Sequence, residues 1–299
     1  MKKNNKILLT LITLVVLSFV LIGSSFAWFL VSTTIKLPFS SELTVTQKEN
    51  LEVSVDIDND LTTDSFSGTF SSSIDLGTVL DISGNGINLF NPIGFQSEDV
   101  PSLYEVATPI HLGDAVKEGD YLELIIKFRS NSELDIYLNE DSSILPYDKT
   151  TNMSEYSPTI SRDYIAGAAR VAILNSAKTS SLLVWDPNPL YQLTKVSESY
   201  SFSENGTADT FSALSSYSYI TSTTGQSSAF TSSQIVLGNS TLDEHKLITL
   251  TKASESDEYY TGSVVVRIWI EGRDRESDIC LSGGRIKINL VFNGVISED

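Results

Sequence analysis

The chain has 299 residues, 41 % of them apolar, with 38 acidic and 20 basic side chains and a formal net charge of −18. That length and apolar content suffice for a large core in one or two domains, and a single cysteine, Cys280, excludes an intramolecular disulfide framework. An acidic surface lacks the basic groups that neutralise phosphates, so no nucleic-acid partner is expected.

The first element is apolar. Lys2, Lys3 and Lys6 precede a run from Ile7 to Val31, broken by Thr10, Thr13, Ser18 and Gly23-Ser24-Ser25. Two readings fit. As an export signal, the small residues Ser25 and Ala27 put cleavage after Ala27. As a membrane helix, the run extends roughly 37 Å at about 1.5 Å per residue, enough to cross a ~30 Å hydrocarbon core with tilt. Trp28 and Phe29 then lie at the outer interface, and the lysines keep the N-terminus inside. Both readings expect residues 1–35 to be a signal peptide or transmembrane anchor. They expect residues 36–299 outside, held at the cell membrane through the N-terminal helix or secreted after cleavage near Ala27.

Beyond residue 35 the period changes to two. Leu51, Val53, Val55 and Ile57 alternate with polar residues, which predicts a strand over 51–58 with one buried face. Its polar residues continue into Asp56, Asp58, Asp60 and Asp64, a weak candidate calcium site because hard cations take clustered oxygens. The loop template fails at Leu61 and Ser67, where it needs Gly and Glu, so a solvated strand end is the expected role and no cofactor is expected.

Further alternating or apolar runs predict strands over 121–129, 134–138, 169–174, 182–185, 247–251, 264–270 and 285–292. Turn signals separate them: Asn59-Asp60, Ser83-Gly84-Asn85-Gly86, Asn91-Pro92, Asp186-Pro187-Asn188-Pro189 and Gly283-Gly284. The pattern predicts an all-β fold, an antiparallel β-sandwich following one N-terminal hydrophobic helix. Residues 197–233, with 19 Ser or Thr among 37, read as a long loop or an inserted hairpin. They divide one sandwich into 40–196 and 234–299, although two separate sandwiches also fit.

In 264–276, VVVRIWIEGRDRE, one face of the strand takes Val264, Val266, Ile268 and Ile270, and the other Val265, Arg267, Trp269 and Glu271. Arg267 and Trp269 are neighbours there, placing a guanidinium over an indole. Gly272 permits a bend and Asp274 accepts turn amides. Arg267, Trp269, Glu271, Gly272 and Asp274 are therefore expected to form a structural corner.

Chemistry is sparsely signalled. His111 and His245 stand outside any HExxH, and neither GxSxG nor a phosphate loop is present. Acidic neighbours Glu276 and Asp278 leave Cys280 a buried, inert thiol. Trp185 and Trp269 lie in apolar runs and read as core.

The lysine-rich start, long apolar run and Ala27-Trp28-Phe29 resemble the signal of TasA/camelysin-type bacterial exported proteins, which a SipW-type peptidase processes. The W-[IL]-E-G-x-D segment at Trp269–Asp274, with Cys280 and RIKINLVF, is similar to endings of uncharacterised bacterial exported proteins with that signal, as is Ala168–Asn188. The resemblance implies an extracellular all-β domain without catalysis, in a matrix or fibre role through self-association or contact with cell-wall or matrix components. A carbohydrate-binding module using Tyr217, Tyr219 and Phe230 is one alternative. A camelysin-like metallopeptidase is another.

Overall fold

Leu122, Leu124, Ile126 and Phe128 alternate along one strand because a pleated backbone sends successive side chains to opposite faces. All four are buried in one core. The computed structural model describes residues 41–48, 51–56, 66, 69–74, 81–97, 100–112, 119–187, 191–206, 235–237, 239–272 and 274–297. The apolar N-terminal run, with Ala27, Trp28 and Phe29, lies outside them, as do Asp58, Asp60 and Asp64.

In chain order the strands are β1 Ser41–Lys48, β2 Leu51–Asp56, β3 Thr69–Ile74, β4 Asp81–Gly84, β5 Leu89–Ser97 and β6 Val100–Val106. Then follow β7 Pro109–Ile110, β8 Tyr121–Ser130, β9 Leu134–Leu138, β10 Ser143–Pro146, β11 Ala169–Asn175 and β12 Ser181–Asp186. The last are β13 Gln192–Val196, β14 Ser199–Ser203, β15 Ile235–Leu237, β16 Lys246–Thr249, β17 Tyr260–Glu271 and β18 Ile286–Ile296. Three 3-10 turns complete the described regular structure, Arg162–Ala168, Leu242–Glu244 and Ile279–Leu281. No described helix is long and apolar enough to cross a membrane.

The protein is all-β. One sheet runs β16-β9-β18-β1-β3, with β10 also on β18. The other runs β15-β12-β11-β17-β4-β5-β6, and β8 joins β17 to β2 and β7. Their inner faces meet in one core, where the Phe128 and Phe292 rings pack edge to face at 5.0 Å. Most pairings are antiparallel, but β1–β18, β4–β17, β7–β8 and β12–β15 are parallel. The strands lie in the unit Ile35–Asp299.

Several expectations change. Alternation suggested strands wet on one face, yet β8 and β17 are buried on both faces over most of their length. The outer face carries a second apolar cluster, in which Val265 and Trp269 pack with Ile82, Leu89 and Ala107. Gly86, at φ 81°, lies in the β4–β5 turn, against that face. Asn91-Pro92 is no turn. It lies inside β5, whose pairing with β6 slips between Pro92 and Gly94, as a missing N–H donor favours. Residues 199–203 of the Ser/Thr-rich segment are β14, paired with β13, and residues 207–234 lie outside the described residues.

Candidate functional site

Two arginines organise the polar contacts on and beside the outer face of β17. Arg267 donates from Nε to Glu123 Oε2 at 2.8 Å and from Nη1 to the carbonyls of Gly86 and Ile87 at 2.9 and 2.7 Å. Its guanidinium lies over the Tyr121 ring, 5.3 Å from the centroid. Glu123 also accepts from Lys178 Nζ at 2.5 Å. Burial alone would raise the Glu123 pKa, but Lys178 and Arg267 bring it below the ordinary glutamate value. Trp269 Nε1 donates to Glu271 Oε2 at 3.2 Å, and the Gly272 amide to the Ile82 carbonyl at 2.9 Å.

Arg170 is the second organiser. It faces Trp269 across the β11–β17 register and is buried. Its Nη1 donates to the Gly167 and Ala169 carbonyls at 3.0 and 2.9 Å. Its Nη2 pairs with Asp186 at 3.1 Å and bonds Asp274. Burial pushes the Asp274 carboxyl up, and Arg170 together with bonds to Glu276 brings it below the usual range. The Asp274 Oδ1 atom accepts the Glu276 amide at 3.1 Å, as a turn aspartate does. Glu276 in turn accepts the Leu193 amide at 2.6 Å, which ties the β13–β14 hairpin to the corner.

Between that hairpin and the corner lies a cleft of about 440 Å³. Leu193, Thr194 and Lys195 line one side, and Asp274, Arg275, Ser277 and Asp278 the other. Both signs of charge face it, so it suits a polar or zwitterionic group better than an apolar one. A hydrogen bond to Tyr200 holds the Lys195 ammonium pKa up, and that ammonium lies over the Tyr200 ring at 5.2 Å.

Of the five corner residues expected from the sequence, Trp269 and Glu271 bond each other, Gly272 bonds Ile82, Asp274 bonds Arg170, and Arg267 bonds Glu123 in a separate network. Arg170, Glu123, Asp186 and Glu276 were missed as members. The available signal was a charge within an apolar run, as in ARVAIL and LELII. Such a charge inside a strand buried on both faces needs a partner.

The other candidates are scattered. Asp56 is buried and pairs with Lys127 at 3.1 Å, which corrects its expected place on a solvated strand end. Among the described residues no group of three His, Cys, Asp or Glu is placed to hold a metal. His111 and His245 are half-buried. Cys280 is fully buried, 3.3 Å from Ser154 Oγ, and burial pushes its thiol pKa up. Trp185 and Trp269 are core residues. Tyr200 and Phe202 of the Ser/Thr-rich segment pack on Tyr156 and Tyr164, while Tyr217, Tyr219 and Phe230 lie outside the described residues.

No protein-family model matches the chain, and no curated protein or solved structure matches it.

Proposed function

We propose that this is an exported cell-surface β-sandwich protein with a structural, adhesive or matrix-assembly role and no catalysis. It acts by pairing an edge strand with a second copy. The supporting observation is β3. Among the described strands it pairs only with β1, at the end of its sheet. Edge strands are normally protected by charge, proline or shortness. The other edges of the two large sheets have such devices: β2 carries Glu52 and Asp56, β6 carries Pro101 and Glu105, β16 carries Lys246, and β15 spans three residues. The β3 sequence, TFSSSI, has neither charge nor proline. The resemblance of the N-terminal run to an export signal supports a location at the membrane or outside it.

Light scattering of the full-length chain tests this reading. Concentration-dependent assembly is expected, and Ser71→Lys, at an exposed β3 position, moves its onset to a concentration about tenfold higher or more. A wild-type chain that stays monomeric throughout overturns the proposal. Sequencing the mature N-terminus, with membrane fractionation, checks the location.

A further inference from the structure

The β4–β5 turn and the start of the segment after β6 leave a second, smaller cleft of about 200 Å³ on the outer face of β8 and β17. Apolar side chains line most of it, including Leu89, Phe90, Val106 and Ala107. Three polar side chains join them, Asn88, Tyr121 and Arg267.

Arg267 is 8 % exposed and has five N–H donors. Nε serves Glu123, and Nη1 serves two carbonyls. Nη2 bonds no other described residue, nor does the Tyr121 hydroxyl, and neither is among the fully buried unpartnered atoms. Burial, against the opposing pull of Arg267 and aided by Glu123 and Asp120, pushes the Tyr121 phenol up to about 12, so it remains a donor at neutral pH.

The carboxylates nearby are committed elsewhere. Glu123 is shared between Arg267 and Lys178, and Asp120 accepts the Thr108 amide and hydroxyl at 2.7 and 3.1 Å. The cleft therefore offers the donors of Tyr121 and Arg267 with no carboxylate in its lining, beside a guanidinium only partly neutralised. A charge-assisted acceptor satisfies such a group far better than water confined among apolar walls. A cavity of about 150 Å³ accepts benzene, so the available volume suits a body of that size.

We propose that this cleft binds a small monocarboxylate with an apolar body, its carboxylate on Arg267 Nη2 and the Tyr121 hydroxyl and its body against Leu89, Phe90 and Ala107. A free organic acid and the C-terminal carboxylate of an apolar residue share this chemistry.

Calorimetric titration of the full-length chain uses benzoate and N-acetyl-leucine, each beside its neutral amide. Saturable binding of either acid is expected, with the matching amide about tenfold weaker or more. The preferred acid identifies the source. Val106 is 68 % exposed at the rim, so Val106→Glu leaves the fold intact and weakens the acid several-fold by like charge, whereas Val106→Lys does not. Arg267→Lys abolishes binding in protein that keeps its circular dichroism, and the Val106 pair decides the matter should that variant misfold. The proposal is overturned by absence of saturable binding, by an amide that binds as well as its acid, or by a Val106→Glu chain with unchanged affinity. Failure of β3-mediated assembly leaves this cleft untouched, so the two proposals fail separately.

Discussion

Glu123 is a carboxylate 2 % exposed, held between a lysine and an arginine in the apolar first half of β8. Its pKa is lower in the folded chain than in the unfolded one. A depressed carboxyl contributes stability that is fully present above the unfolded value, about 4.3, and is lost as pH falls through the folded value. Asp274 has the same sign for the same reason, through Arg170. The wild-type chain is therefore expected to lose stability as pH falls below about 4. Glu123→Gln removes part of that acid limb. At neutral pH it costs about 3 kcal/mol, because Arg267 stays buried without its anion. Denaturant titrations from pH 2.5 to 7 measure both effects; an unchanged acid limb contradicts the first.

At the scale of elements, the β4–β5 hairpin decides how the outer face of β17 is covered. Gly86 is its critical residue. Its φ of 81° strains any L side chain, and an added Cβ would lie 2.3 Å from the Ala172 Cβ on β11. Gly86→Ala is expected to destabilise by about 2 kcal/mol. Adding Ala172→Gly relieves the overlap but not the φ strain, so thermal melts of the double variant show partial recovery relative to Gly86→Ala. Full additivity of the two losses refutes the contact. The individual strands were largely legible: 134–138 has the predicted bounds, and 121–129, 169–174 and 182–185 differ by a residue at most at either end. Their period-two apolar faces belong to the backbone and survive any packing. β1 carries only two alternating apolar residues, Leu43 and Val45, and Ser, Gly or Pro interrupts the apolar rows of β3, β5 and β6, so these strands carried no such signal. Of the candidate site, alternation separated Val265 and Trp269 of β17 from Val264, Val266, Ile268 and Ile270, which lie in a different apolar cluster. The partners Arg170 and Glu123 were not legible, because cross-strand register brings them together over long separations in sequence.

At the scale of the whole molecule, the C-terminal strands hold both sheets together. β17 lies between β11 and β8, and β18 between β1 and β9. A chain ending at Gly284 loses Ile286, Ile288, Leu290 and Phe292 from the core. Each is worth about 2–5 kcal/mol, and together they match or exceed the roughly 5–15 kcal/mol net stability of a domain. Such a chain is expected to show no cooperative thermal transition by circular dichroism. A chain ending at Ile296 keeps β18 and its Tm within about 2 °C. A cooperative melt in the shorter chain contradicts the central role of β18. The sequence by itself determined the all-β class and the inward faces of the main strands, because these follow from side-chain period. Only the tertiary structure decided that β17 is covered on both faces, that Arg170 and Arg267 share the carboxylates of distant strands, and that two clefts open beside them. Burial and charge pairing depend on which strands become neighbours, and register between distant segments is fixed by the packed core rather than by any local run of residues.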